Sequence, residues 1–229
     1  MSRYSNKNRY LKNTKLSEYK FKQIIKEFCL DTSASKASTR LKINRNTVNR
    51  IYNTLRKLIF IETQKTSILS GEIEVDESYF GPRRVKGKRG RGAGKKIPVI
   101  GLLKRQGKVY TKIVTKCDRK QLMPVIKGKI LEGSTVYTDG WKSYDGLVLN
   151  GYKHYRIFHS KDEFARGKNH INGIESFWSF TKRRLAKFNG LAKDKFLIHL
   201  KESEFRFNNR NNNLEKTLLK LFKEGNILV

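Results

Sequence analysis

The sequence predicts a mixed α/β domain, a five-stranded sheet flanked by helices, preceded by a small all-α helix-turn-helix region. Three observations carry that reading. Residues 1–70 hold three helical patterns and no strand pattern. From Gly71 onward, short β-rich segments alternate with helical ones, as in sheets covered by helices. Arg105-Gln106-Gly107-Lys108 reads as a hairpin turn between two of those β-rich segments. The expected division is therefore 1–70 and 71–229, the second part carrying the sheet and the C-terminal helices.

In the first part, Ser17 is placed as the N-cap of a helix reaching Leu30, with Tyr19, Phe21, Ile24, Ile25 and Phe28 at helical spacing. A short Ala- and Ser-rich helix fits Ser33 to Leu41. Ile43-Asn44-Arg45-Asn46 then turns into a third helix with Val48, Ile51, Leu55 and Leu58 inward. Arg45, Asn46, Asn49, Arg50 and Asn53 face outward on it. A short second helix before an Arg- and Asn-rich third is the helix-turn-helix pattern, and Asn and Arg make bidentate contacts to adenine and guanine edges.

In the second part, Ile73 to Tyr79 alternates, with Ile73 and Val75 on one face and Glu74, Asp76 and Ser78 on the other. Ile97 to Leu103 is a second strand, Arg105-Gln106-Gly107-Lys108 a hairpin turn, and Val109 to Val114 a third strand. A helix fits Arg119 to Leu131, with Pro124 in its first turn or kinking it. Val136-Tyr137-Thr138 is a strand ending on Asp139. Trp141 to Leu149 is predicted helical, Tyr152 to Phe158 a fifth strand, and long helices follow over Ile171 to Phe188 and Asp194 to Asn208.

The formal net charge is +31, from 51 Lys+Arg against 20 Asp+Glu. Such an excess points to nucleic acid, since cationic contacts to phosphate release counterions. A membrane surface fits less well, because 11% aromatics and patterned apolar segments indicate a folded core. Cys29 and Cys117 lie far apart with no Cys or His at metal-ligand spacing, so no zinc site is expected, only buried thiols in a reducing compartment. No apolar run reaches spanning length and the start has no signal-peptide core. A cytoplasmic protein without a membrane partner is expected.

Against this basic background the acids stand out. Asp76 lies within a strand, Asp139 at a strand's C-terminal end where ligand sites of α/β sheets form, and Glu175 on the long helix. There Asn172, Glu175, Ser179 and Lys182 make a polar stripe beside an apolar one of Ile171, Ile174, Trp178, Thr181 and Leu185. Cleaving DNA asks for two divalent ions about 3.5–4 Å apart, and Mg²⁺ takes a few hard oxygen ligands while keeping several waters. Three carboxylates from two strands and a helix meet that demand.

Three blocks make the pattern specific: Val75-Asp76-Glu77-Ser78-Tyr79-Phe80-Gly81, Tyr137-Thr138-Asp139-Gly140-Trp141 and Asn172-Gly173-Ile174-Glu175-Ser176-Phe177-Trp178-Ser179. With 35 residues between Asp139 and Glu175, and Lys182 seven residues later, the chain resembles the DDE-type bacterial insertion-sequence transposases, whose catalytic domain is RNase H-like. Glu204-Phe205-Arg206-Phe207-Asn208-Asn209-Arg210 is similar to a C-terminal signature of one short group among them. The resemblance spans roughly Gly71 to Arg210. It implies that Asp76, Asp139 and Glu175 hold two Mg²⁺ or Mn²⁺ ions and act with Lys182 on the DNA of a mobile element. It also implies a homodimer or larger synaptic complex on double-stranded DNA, the terminal inverted repeats and the target. Many relatives carry an N-terminal zinc ribbon that these cysteines cannot build. In some, Asn replaces the third acid, which makes Asn172 the alternative to Glu175, with His170 as a further candidate. Glu175 is preferred because an anionic oxygen binds Mg²⁺ more strongly than an amide.

Further DNA contacts are expected from the basic, Gly-rich strap between the first two strands. It carries Arg83, Arg84, Lys86, Lys88, Arg89, Arg91, Lys95 and Lys96 and no acid. Lys182, Arg183 and Arg184 extend the cationic face of the helix, and Trp141 and Tyr144 are candidates to stack on a splayed base. The rival readings are an RNase H-like nuclease without strand transfer and a non-catalytic helix-turn-helix DNA-binding protein.

Overall fold

A computed structural model describes residues 8–11, 14–65, 67–81, 96–139, 142–157, 170–188 and 190–224. Two compact units are present, one built from residues up to Gln64 together with those from Asn209 on, the other from Lys65–Asn208.

In the first unit α1 (Glu18–Cys29), α2 (Ala34–Leu41) and α3 (Arg45–Gln64) follow the expected order. Ser17 and Ser33 cap α1 and α2, their hydroxyls accepting from Lys20 N and Lys36 N. Lys42 in the left-handed region ends α2, and Asn44 Oδ1 accepts from Asn46 N at 2.8 Å to open α3. Phe21, Ile24, Ile25 and Phe28 are buried as expected. Tyr19 is not; it is 71% exposed. Ala37 is fully buried, and its small side chain lets α2 lie close to α3. The last helix, α7 (Leu214–Glu224), packs in this unit rather than with the sheet, with Phe222 edge-on to Phe21 of α1 at 5.0 Å.

The second unit holds β1 (Glu72–Phe80), β2 (Ile97–Lys104), β3 (Val109–Ile113), α4 (Arg119–Lys129), β4 (Thr135–Asp139), β5 (Lys153–Ile157), α5 (Asn172–Ala186) and α6 (Lys193–Asn208). The strands form one sheet in the order β3-β2-β1-β4-β5. The first three are an antiparallel meander, while β4 and β5 run parallel to β1. That order and those directions make it the RNase H-like mixed sheet predicted from the sequence. Asp118 caps α4, and Pro124 sits inside the helix rather than in its first turn. From Lys142 on, the helix expected over Trp141 to Leu149 is not continuous. Lys142–Tyr144 and Val148–Asn150 are two separate 3₁₀ turns, consistent with Gly146 between them, where an added Cβ would lie 2.5 Å from the Arg119 guanidinium.

Both faces of the sheet are covered. Ile73, Val75, Ile100, Leu102 and Val136 pack against Leu122, Val125 and Ile126 of α4. On the other side Phe80, Val99, Leu103 and Tyr137 pack against Ile174, Phe177 and Trp178 of α5 and Phe196 and Leu200 of α6. The face of β1 that reads as polar in sequence is therefore a second interior.

The free edge of β3 is closed by α6. Asn208 Nδ2 donates to Val109 O at 2.8 Å and Asn208 Oδ1 accepts from Val109 N at 2.7 Å. Two residues on, Glu204 Oε2 accepts from Thr111 N at 2.8 Å, and Lys201 Nζ donates to Thr111 O at 2.7 Å. Side chains thus take the place of a sixth strand, which protects an edge that would otherwise invite pairing with another chain. The block Glu204-Phe205-Arg206-Phe207-Asn208 accordingly includes the side chains that dock this helix. Among the described residues no helix is long and apolar enough to cross a membrane. Cys117 is buried and Cys29 only half-buried.

Candidate active site

The parallel register of β1 with β4 pairs Glu72 with Thr135, Ile73 with Val136 and Glu74 with Tyr137. Two residues further along each strand stand Asp76 and Asp139, level with each other on neighbouring strands spaced about 4.8 Å. Both belong to the face covered by α5, since Tyr137, two residues before Asp139, packs there, and Asp76 Oδ2 accepts from Trp178 Nε1 at 3.0 Å. Glu175 lies on the exposed side of α5, three residues before Trp178. Gly101 pairs with Asp76 across the meander. A Cβ there would meet the Trp178 ring at 2.5 Å, so only glycine lets the indole lie over β2 and reach the carboxylate.

The electrostatics match this convergence. The Asp76 carboxyl is pushed up to about 6, first by burial, then by the like charges of Asp139 and Glu175, against the bonds from backbone and Trp178. Glu77 points to the opposite face of the sheet, where the hydroxyl of fully buried Tyr144 donates to it. Burial, with Asp76 and Asp139 adding to it, raises Glu77 to about 8 despite that bond. Four acids thus act on one another around the ends of β1 and β4, and a site of this sign suits a cation. Carboxylate oxygens are the hard donors that Mg²⁺ or Mn²⁺ takes, so Asp76, Asp139 and Glu175 fit such ions by donor chemistry. Among the described residues no three His, Cys, Asp or Glu side chains are gathered into a ready-made metal site.

Sequence reasoning missed Glu74. It is 1% exposed, lies two residues before Asp76 on the same face, and its Oε2 accepts from the backbone N of Ile174 at 2.9 Å. The N-cap residue of α5, Ile171, makes no side-chain cap, so a carboxylate from β1 caps this helix instead. Gly173 makes room, because a Cβ there would lie 2.8 Å from Glu74 Oε2 and 2.6 Å from Leu103. Arg105 Nε donates to Glu74 Oε1 at 3.1 Å, its Nη2 donates to His170 O at 2.5 Å, and its guanidinium lies 3.7 Å from the centre of the Tyr137 ring. His170 Nδ1 stands 3.7 Å from Glu74 Oε1, at this clamp. Asn172 is exposed on the first turn of α5.

Of the other candidates, Lys182 and Arg183 are exposed on α5. Arg184 is not a surface cation. It is 3% exposed, ion-paired to Glu202, and donates to Ser203 Oγ at 3.1 Å and His199 O at 3.3 Å. Its position 3, 7 and 10 residues after Thr181, Phe177 and Ile174 was the available signal, since all three are buried. Tyr144 is fully buried and has no ring face for a base. Arg45, Asn46, Arg50 and Asn53 are exposed on α3, with Asn49 half-buried. The strap cations Arg83, Arg84, Lys86, Lys88, Arg89, Arg91 and Lys95, and also Trp141, lie outside the described residues; Lys96 is exposed.

A mixed sheet of this order thus sets two carboxylates level on the neighbouring strands β1 and β4, with a third on the helix that covers them. The chain belongs to the ISXO2-like transposase domain family, whose sequence profile matches residues 68–208. It is 43% identical over 121 residues to an uncharacterized transposase-like protein of Haemophilus influenzae, covering 53% of this chain and 98% of that relative. It is 26% identical over 193 residues to an uncharacterized protein in transposable element ISH50 of Halobacterium salinarum, covering 77% of this chain and 65% of that relative. Among solved structures, it is similar to a chain of the simian T-cell lymphotropic virus intasome in complex with PP2A regulatory subunit B56 gamma. That similarity has a TM-score of 0.42 at 9% identity and covers 67% of this chain and 55% of that one. The Mos1 transposase paired-end complex with left transposon end matches with a TM-score of 0.30 at 10% identity, over 89% of this chain and 79% of that one.

Proposed function

We propose that this chain is an insertion-sequence transposase that cleaves transposon-end DNA and joins the freed 3′-OH to target DNA by two-metal-ion phosphoryl transfer. The observation that carries the reading is the level placement of Asp76 and Asp139 on adjacent parallel strands, with Glu175 near enough to raise the Asp76 carboxyl. Asp76 and Asp139 would hold the two Mg²⁺ or Mn²⁺ ions between them, and Glu175 would complete the second position. When bound, such ions supply electrophilic stabilisation of the attacking and leaving oxygens.

The remaining work belongs to the chain's own side chains. Trp178 fixes the orientation of Asp76 through its indole N–H. Water attack at the element's end frees a 3′-OH, which then attacks target DNA in line in the same site, with no covalent protein intermediate. Lys182 holds a phosphate near the transferred end, and Arg183 adds a phosphate contact. The basic residues between Gly81 and Lys96 add phosphate contacts. Arg45, Asn46, Asn49 and Arg50 read the terminal inverted repeat in the major groove, and Trp141 stacks on a splayed end base. Joining two ends at once requires a dimer or a larger synaptic complex, acting on bacterial DNA in the cytoplasm.

The test is incubation of the protein and Mg²⁺ with labelled DNA carrying the inverted repeats that flank its gene, together with a target plasmid. A transposase yields 3′-OH ends and covalently joined products. Nicks without joined product would mark a nuclease, and binding without either would mark a DNA-binding protein.

A further inference from the structure

We propose that Glu74 and Arg105 are positioning residues that hold the three acids of the proposed centre in one arrangement, an inference that rests on that functional reading. Each acid sits one step along its element from a residue that this pair grips. Glu74 itself precedes Asp76 by two residues on the same face of β1. Ile174, whose N–H it accepts at 2.9 Å, immediately precedes Glu175. Tyr137, whose ring Arg105 covers at 3.7 Å, precedes Asp139 by two residues on the same face of β4. A single ion pair with Nε···Oε1 of 3.1 Å thus ties β1, α5 and β4 together one pleat below the carboxylates.

The grip is tight from every side. Glu74 is 1% exposed, and the Arg105 side chain is 13% exposed. The Tyr137 hydroxyl donates to Glu72 Oε1 at 2.7 Å, which fixes the ring under the guanidinium. Gly173 brings the first turn of α5 against the carboxylate, since any side chain there would push the helix away.

Stability alone is a weak reason for such a pair, because apolar replacements of buried ion pairs are often neutral or stabilising. Fixed geometry is a better one. The acids stand on three different elements, β1, β4 and α5, so their relative placement depends on how those elements are joined. A displacement of about 1 Å can cost about 10²-fold in rate, and sites on rigid, supported elements avoid it.

The experiment uses the double variant Glu74→Met with Arg105→Met, which fills the interior without an uncompensated charge, beside the near-isosteric Glu74→Gln. Melting temperature, kcat and KM for 3′-OH release, affinity for end DNA, and hydrogen exchange of the peptide spanning Ile174 and Glu175 in metal-free protein are measured. The expected result is a folded protein that binds end DNA within about twofold of wild type, with KM unchanged. Its kcat falls about 10²-fold and the first turn of α5 exchanges faster while α6 does not. Wild-type kcat with wild-type exchange in either folded variant overturns the proposal, as does a loss of activity that only follows the fraction unfolded. Should the double variant not fold, Glu74→Gln is read by the same criteria. A wild-type protein that releases no 3′-OH sinks the functional reading instead, and the exchange measurement then decides whether the clamp holds α5.

Discussion

Two regions of the sheet unit bury carboxylates, and they treat them in opposite ways. Along α6, Glu202 and Glu204 are fully buried and meet cations. Glu202 takes Arg184 and, at 2.9 Å, Arg206; Glu204 takes Lys201 at 2.7 Å along with Thr111. Around β1 and β4, the charges that act on Asp76 are those of Asp139 and Glu175, and they raise it. The first arrangement resolves its charge inside the protein and builds structure. The second sets carboxylates beside one another, so burial and like charge raise Asp76, the kind of perturbed group that functional sites collect. Glu74 belongs to the first kind by chemistry and to the second by address.

The comparison breaks most sharply if the two kinds of acid respond alike to removal. Glu202→Ala leaves Arg184 and Arg206 buried against no carboxylate, and about 3–5 kcal/mol of stability is expected to go, read by urea denaturation. Asp76→Asn removes repulsion, so its stability at neutral pH is expected to match or exceed wild type in the same measurement. Gly101→Ala tests the packing that aims Trp178. The added methyl meets the rigid indole at 2.5 Å, and a loss of about 1–3 kcal/mol is expected from overpacking, with weaker end cleavage as the indole is displaced from Asp76.

A pH profile sharpens the same contrast. Burial and like charges raise the folded Asp76 carboxyl from 3.8 to about 6 and Glu77 from 4.5 to about 8. The folded state therefore holds more protons than the unfolded one between those limits. The associated stability is complete only below 3.8, the lower of the two unfolded values, and is lost as pH rises through about 6 and then about 8. Melting scans should show that decline. Asp76→Asn is expected to remove its lower part and Glu77→Gln its upper part.

Much of this was legible beforehand, for identifiable reasons. Asp76 and Asp139 stand in strands whose alternation and ends are local features, and Glu175 lies on a clean polar stripe. The helix over Trp141 to Leu149 failed because Gly146 and the tight approach of Arg119 favour short turns over a continuous helix. Glu74 was hidden for a longer-range reason. Its alternation with Asp76 and Ser78 reads as a wet face. Its burial depends on Arg105 in a distant hairpin turn and on the first turn of α5, one hundred residues away. Arg184 was missed by reading Lys182-Arg183-Arg184 as a run instead of turning it around the helix.

The smallest expected effect tests that last point. Arg183→Ala should leave urea stability within about 0.5 kcal/mol and lower the salt slope of DNA binding by about one. Arg184→Ala should do the reverse, destabilising the fold with little change in slope.

The central claim is that Asp76, Asp139 and Glu175 form one catalytic centre, and 3′-OH release from end DNA in Mg²⁺ tests it most directly. Asp139→Asn and Glu175→Gln should each keep the melting temperature and end-DNA affinity of wild type. Each should lose activity by on the order of 10³-fold, the several kcal/mol that electrophilic stabilisation supplies. Release at the wild-type rate by either folded variant would contradict the account.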